Sequence, residues 1–225
     1  MLEFDDVTAM LGGVRILRNV DFQVQDAETI ALIGANGAGK TTTLRSIMGF
    51  TKVTGAIRFG GIDLTTLKPS DRAGLGIGYA AEDRRLFSAF TVEENIVMPA
   101  QVQRFDTADI ARRLDRVYDV MPELREMAPR PAGSVSGGQG KMVALGRALM
   151  TGDRLIMLDE PFQGLAPALA NQYAQALRRV RDADRSVTLV ITESNPKLLK
   201  SFADRALVVD RGEISEAALN AMEAD

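Results

Sequence analysis

The sequence predicts an α/β fold built on a mainly parallel sheet, and two observations support this prediction. Four short apolar runs look like strands buried on both faces of such a sheet: residues 29–33, 77–81, 154–159 and 187–192. Helical patterns lie between these runs, most clearly at residues 137–151 and 167–183. Strands that alternate with helices along the chain are typical of an α/β core with right-handed crossovers.

The remaining segments have patterns of their own. Residues 1–25 alternate apolar and polar side chains, which predicts half-exposed antiparallel strands, and residues 55–61 predict a further strand that ends in a turn. Residues 91–131 are helical and rich in charge, so we interpret them as a helical insert whose charges mostly face solvent. For residues 211–225 we expect a β-turn and a short helix.

Composition excludes several classes of protein. The 225 residues carry 27 basic and 30 acidic side chains, a net charge of -3, so a nucleic acid is not expected as the main partner. The chain has no cysteine, which excludes disulfides and cysteine-based zinc sites. It has neither an apolar run of about 18 residues nor the start of a signal peptide, so we expect a cytoplasmic protein able to dock on a membrane partner.

The most specific motif is the stretch from Gly34 to Thr42, which has the phosphate-loop pattern G-x-x-x-x-G-K-[ST]. Its glycines allow the backbone to wrap around phosphates, and the helix predicted from Thr41 directs its positive dipole end at them. Lys40 is expected to reach the β- and γ-phosphates, and the Thr41 hydroxyl is expected to bind Mg²⁺. A glycine turn with an unrelated lysine is the alternative, disfavoured because a strand precedes the motif and a helix follows it.

A second motif ends the apolar run of residues 154–159 with two acids, Asp159 and Glu160. Ligands of open α/β sheets bind at the carboxyl ends of strands, so Asp159 is a candidate to hold Mg²⁺ and Glu160 a candidate to orient or deprotonate an attacking water. Buried strands often end in an acid without any catalytic role. The phosphate loop upstream is what favours the functional interpretation.

A third motif, Ser136-Gly137-Gly138-Gln139, opens the helix predicted at residues 137–151. A serine and two glycines at a helix N-terminus form a second surface suited to an anion. An ordinary serine cap followed by flexible glycines is the alternative interpretation.

In this order and spacing the three motifs resemble the nucleotide-binding subunit of an ABC transporter, over nearly the whole chain. More narrowly, the chain is similar to the second ATPase of uptake systems for branched-chain amino acids, urea or amides. The segments that support this narrower resemblance are residues 77–79, 82–87, 91–95 and 164–167.

The resemblance implies a fold and a division of the chain. The fold is a P-loop NTPase core with a mainly parallel sheet and an N-terminal antiparallel β-subdomain. A helical subdomain carries the third motif, residues 136–139, which is called the signature in this family. Residues 1–225 then form a single ABC ATPase domain. Residues 1–90 supply the β-subdomain and phosphate-loop core, residues 91–150 the helical subdomain, and residues 151–225 the rest of the core.

The resemblance also implies roles for named residues, with ATP and Mg²⁺ as the cofactors. Family members pair head to tail, so each ATP lies between the phosphate loop of one subunit and the signature of the other. ATP would contact Leu11, Asn36, Gly37, Ala38, Gly39, Lys40, Thr41 and Thr42 on one subunit and Ser136, Gly138 and Gln139 on the other. Mg²⁺ would be bound by Thr41, Asp159 and Glu82, and catalysis would involve Glu160, Lys40, Glu82 and Ser194. A coupling helix of the membrane subunit would pack on Leu86, Phe87, Phe90, Val92 and Ile96, unless these side chains pack inside the helical insert.

Several positions depart from the family pattern. Leu11 stands where an aromatic side chain usually stacks on adenine. Because leucine cannot stack, the binding free energy of the base is expected to lose about 1 kcal/mol. Ser194 stands where most members have a histidine, and the chain contains no histidine at all. Serine carries no positive charge near neutral pH, and here it is expected either to donate one hydrogen bond or to cap a helix from Pro196. Val135 and Gly140 are milder departures within the signature.

The function implied is an ATPase at the cytoplasmic face of the inner membrane, peripheral to it, that powers uptake of a small polar solute. Its partners would be membrane permease subunits, a second ABC ATPase subunit identical or paralogous to it, and, indirectly, a periplasmic solute-binding protein. The alternative is a regulatory ATP-binding subunit with weak hydrolysis, paired with a more active paralogue. DNA-repair and translation members of the superfamily are disfavoured, because the chain has one such domain and only a short insert.

Overall fold

The computed structural model describes residues 1–195, 197, 199–200 and 203–217. The chain divides into two compact units. The first unit comprises Met1–Leu75 and Ser186–Asp225, and the second comprises Gly76–Arg185.

The first unit begins with an antiparallel sheet, as the alternating N-terminal pattern predicts. Its strands are β1 (Leu2–Leu11), β2 (Val14–Val24), β4 (Lys52–Phe59) and the short β5 (Ile62–Asp63), in the order β2-β1-β4-β5. Every pair in this sheet is antiparallel. One face of β1 is buried and the other largely exposed, which explains why apolar and polar residues alternate there.

The other strands of the first unit are β3 (Thr29–Ile33), β8 (Thr188–Glu193), β9 (Arg205–Asp210) and β10 (Glu213–Ala217). Strand β3 pairs in parallel with both β8 and β9, and β10 closes this edge in antiparallel fashion. Helix α1 (Lys40–Ile47) follows β3 after a short loop, and α2 (Pro69–Ala73) is a single short helix. Strands β3 and β8 are buried at almost every position, as expected for central strands of a parallel sheet.

The second unit contains two parallel strands and five helices. Strands β6 (Ile77–Ala80) and β7 (Leu155–Asp159) pair in parallel. The helices are α3 (Val92–Val102), α4 (Thr107–Val120), α5 (Pro122–Met127), α6 (Gly137–Thr151) and α7 (Pro167–Ala183). Helix α6 packs very closely on β6, since a Cβ added at Gly78 would lie only 2.1 Å from the Ala148 carbonyl oxygen.

The α/β fold with an antiparallel N-terminal sheet, mostly parallel strands and helices is therefore confirmed. Helices α6 and α7 and strand β3 have the predicted bounds, and strands β6, β7 and β8 differ from prediction by one residue at one or both ends. Strand β9 was not predicted. Of the tail at residues 211–225, the expected turn lies at Arg211–Gly212, and strand β10 follows it where no strand was expected. The rest of the tail, residues 218–225, lies outside the described residues, so the expected short helix is not tested. Within the described ranges, none of the helices combines the length and the apolar composition that a membrane-spanning segment needs.

A charged pair in the first unit predicts how stability depends on pH. Arg205 on β9 donates to both carboxylate oxygens of Glu28, at 2.7 and 3.3 Å. Burial acts to raise the pKa of Glu28, but the hydrogen bond and charge of Arg205 and the Gln25 amide outweigh it, so this pKa is lowered. A lowered pKa stabilises the fold above the unfolded-state value, and this stabilisation is lost as pH falls through the folded-state value.

We therefore expect Arg205→Met to lower the free energy of unfolding by about 1 kcal/mol at pH 7, and we expect this difference to shrink as pH falls and Glu28 takes up its proton. Urea unfolding of the two proteins between pH 3 and 7 measures this difference. Glu28→Gln should show the same convergence. A deficit that stays constant over this range would contradict the prediction.

Candidate functional site

The phosphate loop occupies the turn from β3 to α1 in the first unit, where the sequence places it. Two glycines adapt the loop to its surroundings. A Cβ at Gly34 would lie 2.3 Å from the Val209 carbonyl oxygen of β9, and Gly39 has a φ of 124°. Gly39 has no side chain to cap α1, so the first N–H groups of this helix face a position where a phosphate can accept their hydrogen bonds.

Lys40 is buried at the start of α1, with only 4% of its surface exposed. Its Nζ donates to the carbonyl oxygens of Gly34 at 2.6 Å and Ala35 at 3.1 Å, and to Ser194 Oγ at 3.1 Å. The ammonium group is therefore held over the loop by oxygen acceptors. A phosphate oxygen, being charged, is a stronger acceptor than these neutral groups.

Ser194, just beyond the end of β8, contacts Lys40 and donates from Oγ to Asn36 Oδ1 at 2.8 Å. The structure thus brings Asn36, Lys40 and Ser194 together at one edge of the sheet. Asn195 Oδ1 accepts from the Lys197 amide at 3.2 Å. Pro196, where a capped helix was expected to start, lies outside the described residues.

The other nucleotide-binding candidates of the first unit are accessible to a ligand. Asn36 and Gly37 are exposed in the loop, and Thr41 and Thr42 are half-buried in the first turn of α1. Leu11 ends β1 with 56% of its surface exposed. Exposure alone does not test the predicted contacts of these residues with ATP, which stay predictions.

In the second unit, Asp159 ends β7 and Glu160 follows it, and both side chains are buried. The Tyr79 hydroxyl on β6 donates to Asp159 Oδ2 at 3.1 Å, which orients that carboxylate. Glu160 has a φ of 48°, in the left-handed region that few residues other than glycine adopt. Such strain at a candidate catalytic residue is a frequent feature of functional sites.

The signature residues begin α6 as a capping box. Ser136 Oγ accepts from the Gln139 amide at 3.2 Å, and Gln139 Oε1 accepts from the Ser136 amide at 2.9 Å. The serine-cap interpretation of this motif is therefore correct as local structure. Ser136 is also exposed, so its predicted contact with an ATP held by a second subunit stays a prediction.

Gly138 lies close to Leu169, because a Cβ added there would be 2.0 Å from Leu169 Cδ2 unless that side chain moved. Gly138, Lys141 and the exposed Glu82 line an open groove of about 500 Å³.

The two remaining candidates, Ala38 and Gly39, lie in the phosphate loop of the first unit. Ala38 is half-buried and Gly39 is buried.

The loop that follows Glu82 is bonded directly to α6. Arg84 and Arg85 both have positive φ, 58° and 46°. Arg147 of α6 donates to their carbonyl oxygens at 3.3 and 2.8 Å, and Arg84 donates to the Gly137 carbonyl oxygen at 2.8 Å. These bonds connect the loop after Glu82 to both the start and the third turn of α6.

Three residues of this site were not identified from the sequence: Tyr79, Lys141 and Arg147. Tyr79 had a local signal, since it is a polar aromatic residue within a buried strand next to the one that ends in two acids. Lys141 and Arg147 donate to backbone oxygens 19 and more than 60 residues away. No pattern in the sequence indicates bonds of that kind.

The donor chemistry fits magnesium and a triphosphate. Mg²⁺ prefers oxygen ligands, with water and substrate phosphates completing its shell. Thr41 of the first unit carries a hydroxyl and Asp159 of the second a carboxylate, so each has the donor type that its predicted role needs. Among the described residues no group of three or more acidic, histidine or cysteine side chains is arranged to hold a metal.

Comparison with known proteins adds an independent line of evidence. Residues 17–163 match the ABC transporter family. The high-affinity branched-chain amino acid transport ATP-binding protein BraG of Pseudomonas aeruginosa is 38% identical over 215 residues, 95% of this chain and 91% of BraG. The probable branched-chain amino acid transport ATP-binding protein LivF of Archaeoglobus fulgidus is 34% identical over 216 residues, 96% of this chain and 90% of LivF.

A solved structure agrees with these sequence relatives. The ADP conformation of MJ1267, an ATP-binding cassette of an ABC transporter, superposes with a TM-score of 0.81 at 26% identity, covering 96% of this chain and 89% of that one. Phosphate loop, fold and sequence relatives lead to the same conclusion: the chain belongs to the ABC transporter family, as an ATP-binding domain and an ATPase.

Proposed function

We propose that this chain hydrolyses ATP to power uptake of branched-chain amino acids or related amides. The observation that carries the proposal is the phosphate loop with its buried Lys40, held ready by oxygen acceptors that a phosphate can replace. The relatives BraG and LivF, both named for branched-chain amino acid transport, support the choice of solute. The comparisons give no support to a purely regulatory subunit.

Each residue has a role that its chemistry suits. Lys40 and the first N–H groups of α1 bind the phosphates, and Leu11 packs on the base. Thr41 and Asp159 bind Mg²⁺, with Glu82 as a further candidate, and the ion neutralises charge on the phosphate oxygens when bound. Glu160 aligns the attacking water.

Two residue groups complete the proposed reaction. Ser194 supports Lys40 through its hydroxyl group in place of the missing histidine. Ser136, Gly138 and Gln139 contact the nucleotide of a second ATPase subunit, so ATP has a higher affinity for the closed pair than for separate subunits. This difference in affinity is what allows ATP to shift the pair toward its closed state.

The proposed setting is the cytoplasmic face of the inner membrane. There the chain would pair with another ABC ATPase subunit and bind permease subunits, which receive solute from a periplasmic binding protein. The proposed permease contact is an aromatic pair, Phe87 and Phe90, whose stacked rings lie 5.6 Å apart and are 48% and 43% exposed. Val92 and Ile96 were expected to share this surface, but both are fully buried in the second unit, so that part of the expectation is wrong.

Asn95 holds the backbone of Phe87 in place. Its fully buried side chain accepts from the Phe87 amide at 2.8 Å and donates to the Phe87 carbonyl oxygen at 3.0 Å. Exposed aromatic side chains on a fixed backbone are typical anchors of protein interfaces, because little conformational entropy is lost when they bind.

We therefore expect the double substitution Phe87→Ala and Phe90→Ala to reduce co-purification of the permease subunits at least about 10-fold. Mg-ATP binding by the chain alone should be unchanged. Affinity purification from detergent-solubilised membranes, with the permease subunits quantified by mass spectrometry, makes the measurement. Phe50→Ala is the matched control, because Phe50 is an exposed phenylalanine of the first unit. Equal recovery of the permease with both variants would rule this surface out.

Transport itself tests the proposed function. The full-length chain, its permease subunits and the binding protein are reconstituted in proteoliposomes, and uptake of labelled leucine, isoleucine, valine, urea and acetamide is followed with and without enclosed ATP. We expect ATP-dependent uptake of at least one of these solutes. Uptake of none of them, by a complex that hydrolyses ATP, would contradict the proposed substrate class.

A further inference from the structure

We propose that Lys141 is a positioning residue for hydrolysis, which holds the backbone of Glu160 so that its carboxylate stays aligned. This inference rests on the proposed role of Glu160 and extends it to a residue outside the phosphate loop, the strand-end acids and the signature. Lys141 lies in the second turn of α6, five residues after Ser136, and its side chain is half-buried.

The first observation is a direct bond. Lys141 Nζ donates to the Glu160 carbonyl oxygen at 2.5 Å, a short contact for an ammonium donor. The bond is made to the main chain, so it acts on the direction in which the Glu160 side chain leaves the backbone.

The second observation is the backbone conformation that this bond supports. Glu160 has a φ of 48°, and a residue with a Cβ adopts this region only where its surroundings enforce it. Gln163 donates its amide to the same carbonyl at 3.3 Å, which closes a turn around the strained residue. The Lys141 ammonium adds a charged donor to this turn from a different element of the fold.

The third observation is a separate contact between α6 and the segment after Glu160. Gly138, one turn before Lys141, lies so close to Leu165 and Leu169 that an added Cβ would be 3.1 and 2.0 Å from their methyl carbons. The same face of α6 thus touches this segment at two points, one polar and one apolar. The signature helix and the Glu160 turn are therefore held together, and the polar point is the one next to the candidate catalytic acid.

Three variants of Lys141 separate positioning from other roles, each made alone and in the Glu160→Gln background. Lys141→Met and Lys141→Gln remove the ammonium group, and Lys141→Arg keeps a charged donor. Lys68→Met is the matched control, because Lys68 is exposed in the first unit. For the full-length chain, kcat and KM for Mg-ATP, affinity for a fluorescent ATP analogue, and the thermal unfolding midpoint are measured.

We expect Lys141→Met and Lys141→Gln to lower kcat about 10-fold while KM and analogue affinity stay within about twofold of wild type. Lys141→Arg should recover most of the rate. In the Glu160→Gln background the Lys141 substitutions should have no further effect on single-turnover hydrolysis, because the group they position is already lost.

Other results would overturn the inference. An unchanged kcat in both Lys141→Met and Lys141→Gln excludes a positioning role. If Lys141→Met does not fold, the kcat of Lys141→Gln alone is the test. An equal rate loss in the Glu160→Gln background shows that Lys141 acts elsewhere. A raised KM with unchanged kcat assigns Lys141 to nucleotide binding. If Glu160→Gln alone leaves turnover unchanged, the failure lies with the proposed role of Glu160.

Discussion

Replacing Lys40 with methionine is expected to weaken Mg-ATP binding at least about 100-fold and to reduce hydrolysis to background. Hydrogen bonds from a charged donor to charged oxygens contribute about 1.5 to 3 kcal/mol each, and this ammonium is expected to contact two phosphates. Methionine retains most of the apolar stem that fills the buried space at the start of α1. The loss should therefore come from the missing charge rather than from collapse of the loop.

Isothermal titration with Mg-ATP and steady-state phosphate release measure these two effects. A thermal unfolding midpoint close to that of wild type establishes that the variant is folded. Lys52→Met, at an exposed position of β4, controls for the general effect of removing a lysine. Unchanged Mg-ATP affinity in Lys40→Met would contradict the assignment of the phosphate loop and, with it, the proposed function.

The contact between Lys40 and Ser194 also shows why part of the site is predictable from sequence. These residues are 154 positions apart, yet each follows a central strand. Strands β3 and β8 run in parallel with Ile33 opposite Glu193, so the loops that follow them begin at the same edge of the sheet. A correct prediction of two parallel strands therefore places the side chains beyond their ends near each other.

The contacts of α6 were not predictable in this way. Its bounds follow from a helical pattern, but the bonds of Lys141 and Arg147 run to backbone oxygens at Glu160, Arg84 and Arg85, all with positive φ. Positive φ in residues other than glycine has no reliable signal in sequence. The acceptors of these bonds thus appear only once the chain is folded.

The helical insert shows a different limit of what can be predicted from sequence. The apolar residues from Leu86 to Ile96 read as a continuous set in sequence, but the capping box at Thr91 starts α3 among them. After that cap, helical geometry turns Val92 and Ile96 into the core, while Phe87 and Phe90 precede the helix and stay exposed. A helix start therefore divides the set into core residues and surface residues.

Glu160→Gln is expected to reduce ATP turnover about 100-fold or more while Mg-ATP affinity stays near wild type. The amide has almost the shape of the carboxylate, so packing of this buried side chain should persist, and the Lys141 bond is retained because it is made to the backbone. What is lost is the negative charge that orients and polarises the attacking water. Lys40→Met should therefore weaken binding, whereas Glu160→Gln should spare it.

This difference distinguishes an ATPase from a regulatory subunit. If the chain is the active enzyme, Glu160→Gln lowers the single-turnover rate of the chain and the steady-state rate of its pair with another ATPase subunit. If a more active partner performs hydrolysis, the rate of the pair stays unchanged although the chain still binds ATP. Asp119→Asn, at an exposed acid of α4, is the matched control for removing one carboxylate. Turnover of the pair is therefore the decisive measurement, because the two interpretations predict opposite results for it.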